Sequence, residues 1–247
     1  MIDTHCHFDM MPHPEAYLRQ REQAGDIVIG MTNLPSHFKM GFPHVKGYKH
    51  IRFALGLHPL LASENKNELP LFNCLLDQTS YIGEIGLDFS KEGLSTKDDQ
   101  VFILRKLLAK LEGKKKIISV HSRKAEKELF DLLCEYNVDN VIFHWYSGPI
   151  DLIPSIIAKG YYFSVNEAMT VSKNGRNIID RIPRDRILTE SDAPYNNKAN
   201  ISKTLINLAM SEGEINYNFN NLIAKIRDSN RSGYAPPAYN EGGGGTA

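Results

Sequence analysis

Eight short apolar runs, separated by longer segments of helical period, constrain the fold of this chain more than any other feature of its sequence. The runs are rich in β-branched and aromatic residues and begin near Ile2, Ile27, Arg52, Tyr81, Ile117, Val141, Tyr161 and Ile187. The helical segments that alternate with them cover residues 15–24, 69–78, 97–111, 124–136, 150–159 and 202–211. This alternation predicts parallel strands joined by right-handed crossovers. Eight such units predict an α/β fold, namely a closed (β/α)₈ TIM barrel.

A doubly wound open sheet is the alternative architecture for the same alternation. The GxGxxG phosphate turn that would favour its dinucleotide-binding version is absent after the first run. We expect residues 1–230 to form a single domain. Residues 231–247 contain almost no aliphatic side chains and include a four-glycine run, which predicts a disordered tail or a remnant of an expression vector.

The cysteines and the N-terminal sequence indicate the cellular compartment in which the protein is expected to work. Cys6, Cys74 and Cys134 are an odd number without CxxC spacing, so neither a disulfide framework nor a thiolate zinc site is expected. We find no basic, apolar leader at the N-terminus and no run of 18 apolar residues. These features predict a cytoplasmic protein without membrane contact, and a monomer is the default expectation.

Histidines and carboxylates recur where the predicted strands end. An HxH pair closes the first strand, and the fourth, fifth, sixth and eighth strands each contribute one further side chain. The set is His5, His7, Glu84, His121, His144 and Asp192. In a barrel these positions converge on the C-terminal face, where barrel enzymes keep their active sites.

The grouping of these side chains carries more information than any one of them. A lone strand-end histidine is more often a hydrogen-bonded structural residue, and a lone aspartate before Ala-Pro is usually a turn former. Glu84 is harder to explain in this way because a buried, unpaired carboxylate is costly. Four imidazoles and two carboxylates on one rim predict a centre for two divalent cations. Zn²⁺ or Mn²⁺ suits these ligands, and Mg²⁺ is an option if water completes its shell.

The motifs around these residues resemble one known family. In chain order they are DTHCHFD, IGEIGLDF, VHSR, FHWYSG and TESDAP. Together they resemble the TatD-related deoxyribonucleases of the amidohydrolase superfamily, over roughly residues 1–225. The resemblance implies a metallo-dependent hydrolase barrel in which Glu84 bridges two metals. It also implies that His5, His7 and Asp192 complete one metal site while His121 and His144 serve the other.

Substrate contacts follow partly from the resemblance and partly from a departure from it. The resemblance implies substrate contacts for His58 in GLHP, which matches a family motif, and for Arg123 in HSR. For His58 the alternative is a histidine that orients its own loop. After the sixth-strand histidine the family often has a small residue and Phe, whereas this chain has Trp145 and Tyr146. These aromatic side chains predict stacking on a nucleobase, with packing of the rim as the alternative.

The predicted chemistry is phosphodiester hydrolysis by a metal-activated hydroxide, with DNA as the first substrate to test. Two cations clamp the attacking and leaving oxygens in such a reaction. Glu84 and Asp192 are the predicted catalytic carboxylates, with Asp192 orienting the hydroxide or accepting its proton. Because Lys+Arg and Asp+Glu both number 29, DNA binding through a global positive field is excluded.

Two alternative functions use the same predicted ligands. One is a superfamily hydrolase acting on a C–N or ester bond of a small molecule. The other is a partner-dependent subunit, because the stretch YYFSVNEAMT…IPRDRILTESDAP also resembles TatD-like proteins of bacterial anti-phage defence operons of the Qat type. That subgroup implies partner proteins from the same operon and a role in antiviral defence.

Overall fold

All eight predicted strands are present, and they run parallel around a barrel. The computed structural model describes residues 1–196 and 199–227. Within them the strands are β1 Ile2–Cys6, β2 Ile27–Gly30, β3 Ile51–Phe53, β4 Tyr81–Gly86, β5 Ile117–His121, β6 Val141–His144, β7 Tyr162–Val165 and β8 Ile187–Thr189. Nearly every strand residue is buried, as expected where helices cover the outside of a parallel sheet and side chains fill its inside.

The helices also lie where the sequence predicts them, with two main additions. The described residues form α1 Pro14–Ala24, α2 Pro35–Val45, α3 Pro59–Ala62, α4 Leu69–Leu75, α5 Lys97–Leu111, α6 Glu126–Glu135, α7 Ile153–Ala158, α8 Glu167–Val171, α9 Lys173–Ile179, α10 Ile201–Leu208 and α11 Glu212–Arg227. The longer additions are α2 and α11. Helix α2 contains Gly41 and Pro43, both poor helix formers, and it is held by packing of its buried Phe38 on Phe53.

Two seams close the barrel, and both lie beside functional residues. Backbone ladders join β1–β2–β3 and β4–β5–β6–β7–β8 into two sheets. Leu55 bridges the first seam, since its N–H donates to Tyr81 and its carbonyl accepts from Gly83. At the second seam the N–H of Asp192 donates to the carbonyl of His5 over 2.9 Å. Barrel closure therefore brings Asp192 next to the HxH pair.

Asp3 reinforces the second seam through a fully buried carboxylate. Its Oδ1 accepts the backbone N–H groups of Ser191 and His5, and its Oδ2 accepts the Ser191 hydroxyl at 2.6 Å. Burial raises the pKa of Asp3 to about 7, in spite of the opposing hydrogen bonds from Ser191. The folded protein therefore binds more protons than the unfolded chain between about pH 4 and pH 7, and the contribution of Asp3 to stability falls as the pH rises through this window.

Asp3→Asn is expected to raise the free energy of unfolding above that of the parent protein. This increase should be larger at pH 8 than at pH 4. Asparagine keeps Oδ1 for the two backbone donors and removes the buried charge, so only the parent loses stability as the pH rises. Denaturant midpoints of both proteins at the two pH values provide the measurement. A difference in midpoint that is the same at both pH values would contradict this account of Asp3.

Three remaining predictions concern the membrane, the thiols and the tail. Within residues 1–196 and 199–227, no helix is long and apolar enough to cross a membrane. All three cysteines are free thiols, with Cys6 buried and Cys74 exposed. The predicted tail at 231–247 lies outside the described residues, so the boundary of the domain near residue 230 stays a prediction.

Candidate metal centre

The six side chains predicted as ligands meet at the C-terminal ends of the strands. His5 lies in β1 with His7 directly after it, Glu84 lies in β4, and His121 and His144 end β5 and β6. Asp192 follows β8 by three residues, with φ of 53°. Five of the six are almost fully buried, and His121 is the most exposed at 16% of its side chain. Strand ends of a closed barrel converge on one rim, which explains how residues 187 positions apart come together.

Glu84 occupies the middle of the cluster, and its two oxygens face different partners. Oε1 lies 2.7 Å from His121 Nδ1 and 2.9 Å from His144 Nε2. Oε2 lies 3.2 Å from His7 Nε2 and 3.6 Å from His5 Nε2. The carboxylate thus stands between two histidine pairs, with one oxygen directed at each.

Asp192 lies on the side of the HxH pair. Its Oδ1 is 3.7 Å from Nε2 of both His5 and His7. The Nδ1 atom of His5 is engaged by Ser119 Oγ at 2.8 Å, so its Nε2 is the nitrogen that faces the cluster. One set of potential ligand atoms is therefore His5, His7, Asp192 and Glu84 Oε2, while His121, His144 and Glu84 Oε1 form a second.

The electrostatics of the cluster favour positive charge beside Glu84. Burial alone would raise the pKa of Glu84, but the imidazoles of His58, His144 and His121 outweigh it and hold the pKa well below its usual range. Burial opposes charge on His144 as well, yet the Glu84 and Glu190 carboxylates raise its pKa well above the usual value. Burial raises the pKa of Asp192 to about 7. A divalent cation would neutralise the negative charge of these carboxylates more fully than protonated imidazoles do.

His58 lies at the cluster in a tautomer that does not suit a metal ligand. Its Nε2 is 3.6 Å from Glu84 Oε2, close enough to count geometrically among metal-competent atoms. Its Nδ1, however, accepts the backbone N–H of Leu60 at 3.2 Å. Burial lowers the pKa of His58 to about 4, so the ring is neutral near pH 7 and carries its proton on Nε2. His58 therefore presents an N–H donor toward the cluster.

Five of the six cluster side chains line a cavity of about 830 Å³, together with the residues predicted to contact substrate, His58, Arg123 and Trp145. Arg123 is half exposed on the wall and forms an ion pair with Glu92 at 2.9 Å. Trp145 is partly buried, faces the cavity and has a φ of 38°. Tyr146 differs from the stacking prediction because its ring is buried in the core and its hydroxyl donates to the Pro149 carbonyl.

Two further carboxylates, which the sequence pattern does not single out, lie behind the cluster. Asp88 Oδ2 lies 2.8 Å from His121 Nε2. Burial would raise the pKa of Asp88, but His121 and Ser90 donate to it and lower the pKa to about 2. Glu190 lies behind His144 and is fully buried. Asp88 lies in the motif IGEIGLDF and Glu190 in the motif TESDAP. The motifs therefore indicate a functional region at both positions, but not that these carboxylates contact the histidines.

Comparison with known proteins identifies relatives over most of the chain. The family model described as TatD related DNase matches residues 2–223. An uncharacterized metal-dependent hydrolase of Methanocaldococcus jannaschii is 25% identical over 204 residues, 78% of each chain. The human deoxyribonuclease TATDN3 is 24% identical over 213 residues, again 78% of each chain.

Solved structures agree with this result. The crystal structure of YjjV, a TatD homolog from Escherichia coli K12, has a TM-score of 0.77 at 25% identity. The match covers 92% of this chain and 97% of that one. The structure of a TatD family hydrolase from Entamoeba histolytica, at 17% identity and a TM-score of 0.58, supports the fold alone.

Proposed function

The chain belongs to the TatD-related DNase family and is a metal-dependent hydrolase, and from this premise we propose that it hydrolyses the phosphodiester bonds of DNA from a strand end. The observation that carries the proposal is the position of Glu84, with one oxygen toward His121 and His144 and the other toward His5 and His7. A carboxylate so placed can bridge two cations. Several relatives are named deoxyribonucleases, which supports DNA as the substrate.

The charge of the surroundings supports two cations rather than one. Glu84, Asp192, Asp88 and Glu190 are all buried, and the ion pairs of all four within the described residues are with histidines. Four buried negative charges without a Lys or Arg partner are costly. Two divalent cations would neutralise all four, whereas one would leave two negative charges for protonated imidazoles such as His144 to balance. The majority of imidazole ligands favours Zn²⁺ or Mn²⁺, and Mg²⁺ stays an alternative.

The residues around the centre have separate roles in this proposal. The two histidine pairs, Glu84 and Asp192 would hold two divalent cations, which would supply a nucleophile at neutral pH and stabilise charge on the attacking and leaving oxygens. Asp192, on the HxH side of the cluster, orients the attacking water and accepts its proton. His58 donates its Nε2 hydrogen to a phosphoryl oxygen. Arg123 binds a neighbouring phosphate in exchange for Glu92, and Trp145 stacks on a base, a contact worth roughly 1–3 kcal/mol.

Cleavage of end-labelled DNA tests the proposal. Single- and double-stranded oligonucleotides are incubated with Mg²⁺, Mn²⁺ or Zn²⁺, and 5′ and 3′ labels report the direction of degradation. We expect a ladder that shortens from one end and requires a divalent cation. Glu126→Gln is a matched control, because Glu126 is also buried but lies outside the cluster and should leave the ladder unchanged.

Each competing function predicts a different result in the same assay. If the protein binds its metals but cleaves only small-molecule amides or esters, the DNA proposal is wrong and the small-molecule amidohydrolase is favoured. Cleavage that appears only after addition of proteins from a neighbouring operon would favour the partner-dependent defence subunit. Specific degradation with the cations fully chelated would contradict all of these functions.

His58→Ala is expected to lower kcat/KM about 100-fold, a typical loss for a donor to the transition state, without loss of bound metal. Its Nδ1 already accepts the backbone N–H of Leu60, so its Nε2 carries a hydrogen. The ring can then donate a hydrogen bond from Nε2 but cannot bind a metal through that atom. His58→Gln should retain more activity because its amide N–H reaches the same side. Metal content per chain distinguishes the roles, since the loss of one equivalent would make His58 a ligand.

A further inference from the structure

Glu190, like Asp88, is a buried carboxylate of the centre to which the proposed reaction assigns no step. It follows β8 directly, its N–H donates to the Val165 carbonyl, and its side chain is fully buried. Within the described residues its one ion pair is with His144, whose Nδ1 lies 3.7 Å from Glu190 Oε2. A buried carboxylate without a Lys or Arg partner lowers the stability of the fold, so the position of Glu190 beside this ring calls for an explanation.

The hydrogen bonds around Glu190 determine which of its sites are open. Asn166 Nδ2 donates to Oε1 at 2.9 Å, and the Ser164 hydroxyl donates to Oε2. The Asn166 amide cannot be turned around, because its Oδ1 accepts the N–H of Met169 and caps α8. Oε2 therefore keeps one lone pair open, on the side of His144.

His144 has the complementary requirement. Its Nδ1 is buried and has no hydrogen-bond partner among the described residues, while its Nε2 points to Glu84 Oε1 at 2.9 Å. The His5 ring stacks on it with centroids 3.9 Å apart and confines its plane. A small movement of the ring within its plane would shorten the 3.7 Å gap to a hydrogen bond of about 3.0 Å. His121 shows the closed form of this arrangement, with Asp88 at 2.8 Å from its outer nitrogen.

We propose that Glu190 is a positioning residue for metal binding, which accepts the Nδ1 hydrogen of His144 and keeps the Nε2 lone pair directed at the centre. This inference rests on the proposed metal centre. A histidine that binds a metal usually donates its other N–H to a carboxylate or carbonyl, which selects the tautomer and increases the basicity of the ligand. Through Ser164 and Asn166, Glu190 also connects His144 to β7 and to the first turn of α8.

Glu190→Gln is the sharpest test because it changes the hydrogen-bond pattern with little change in volume. Asn166 requires an acceptor, so the glutamine oxygen faces Asn166 and its NH₂ group faces Ser164 and His144. A donor opposite Nδ1 favours the tautomer with the hydrogen on Nε2, which removes the lone pair from the centre. We expect Zn²⁺ affinity, measured by titration calorimetry with chelator competition, to fall about 10- to 100-fold.

The controls separate positioning from a structural role. Glu126→Gln should bind Zn²⁺ like the parent. If Glu190 only supported the fold, Glu190→Gln would melt at a lower temperature without metal, yet the folded fraction would keep the parent affinity. That result would overturn the inference.

A measurement on the parent keeps the inference testable if the variant does not fold. Long-range ¹H–¹⁵N spectra of the Zn²⁺-loaded, histidine-labelled parent should show His144 protonated at Nδ1. Protonation at Nε2 would contradict the inference. A parent chain that binds no divalent cation would instead refute the proposed function, so the two failures are distinguishable.

Discussion

Replacing Glu84 with alanine is expected to reduce metal-dependent DNA cleavage by about 10³-fold or more while the protein stays folded. The carboxylate contacts His7, His121 and His144 together, at 3.2, 2.7 and 2.9 Å. Its loss removes a ligand from both proposed metal sites and the stabilisation that paired cations provide to the transition state. The measurements are kcat on end-labelled DNA and metal content per chain by elemental analysis.

Glu84→Gln sharpens this prediction because glutamine fills the same space without the charge. We expect the Glu84→Gln variant to lose nearly as much activity as Glu84→Ala, since a neutral amide oxygen is a weak bridging ligand. Glu126→Gln again serves as the buried control outside the cluster. A Glu84 variant that kept two metal ions and a tenth of the parent activity would refute the assignment of Glu84 as the bridge.

Removing the metals is expected to abolish cleavage and to lower the Tm by about 10–20 °C. At a free ion concentration near 100 times its Kd, each bound ion stabilises the folded state by about 2.7 kcal/mol. For a chain of this length each kcal/mol corresponds to about 2–4 °C in Tm. Without the cations, the four buried carboxylates of the centre lose their neutralising charge.

Calorimetry before and after dialysis against a chelator provides the measurement, and readdition of Zn²⁺ or Mn²⁺ should restore both Tm and activity. A magnesium-loaded sample is a useful comparison, because imidazole-rich sites hold Mg²⁺ more weakly. If the Tm stayed constant while the metal content fell below a tenth of an ion per chain, the two-ion proposal would be wrong.

Much of the fold was readable from local sequence. Each strand is a short run of β-branched and aromatic residues, and such runs in parallel sheets are buried on both faces. Helix α5 matches its predicted range because Leu104, Leu107, Leu108 and Leu111 recur at helical spacing and are all buried. Helix α2 is not among the predicted helical segments, and it contains Gly41 and Pro43, which are poor helix formers. Its Gly41 lies against the Phe53 ring, where a Cβ would come within 2.7 Å.

The metal-competent residues were predictable for a similar reason. In a parallel barrel, the C-terminal end of every strand lies on one rim, so residue type and strand order together place His5, His121 and His144 near one another. The same rule places the carboxylates of Asp88 and Glu190 at this rim, since they follow β4 and β8, but it does not say which ring each one faces. Asp88 and Glu190 reach His121 and His144 through side-chain rotamers and through the packing of β7 and α8, which depend on the assembled molecule.

The sequence by itself determined the eight-stranded barrel and the six residues on its rim, because both follow from periodicity along the chain and from the order of the strands. Only the tertiary structure decided how those residues face one another. The seam between Asp192 and His5 and the division of Glu84 between two histidine pairs both depend on contacts between distant segments. Such contacts are set by side-chain directions after barrel closure, and no local pattern in the sequence encodes them.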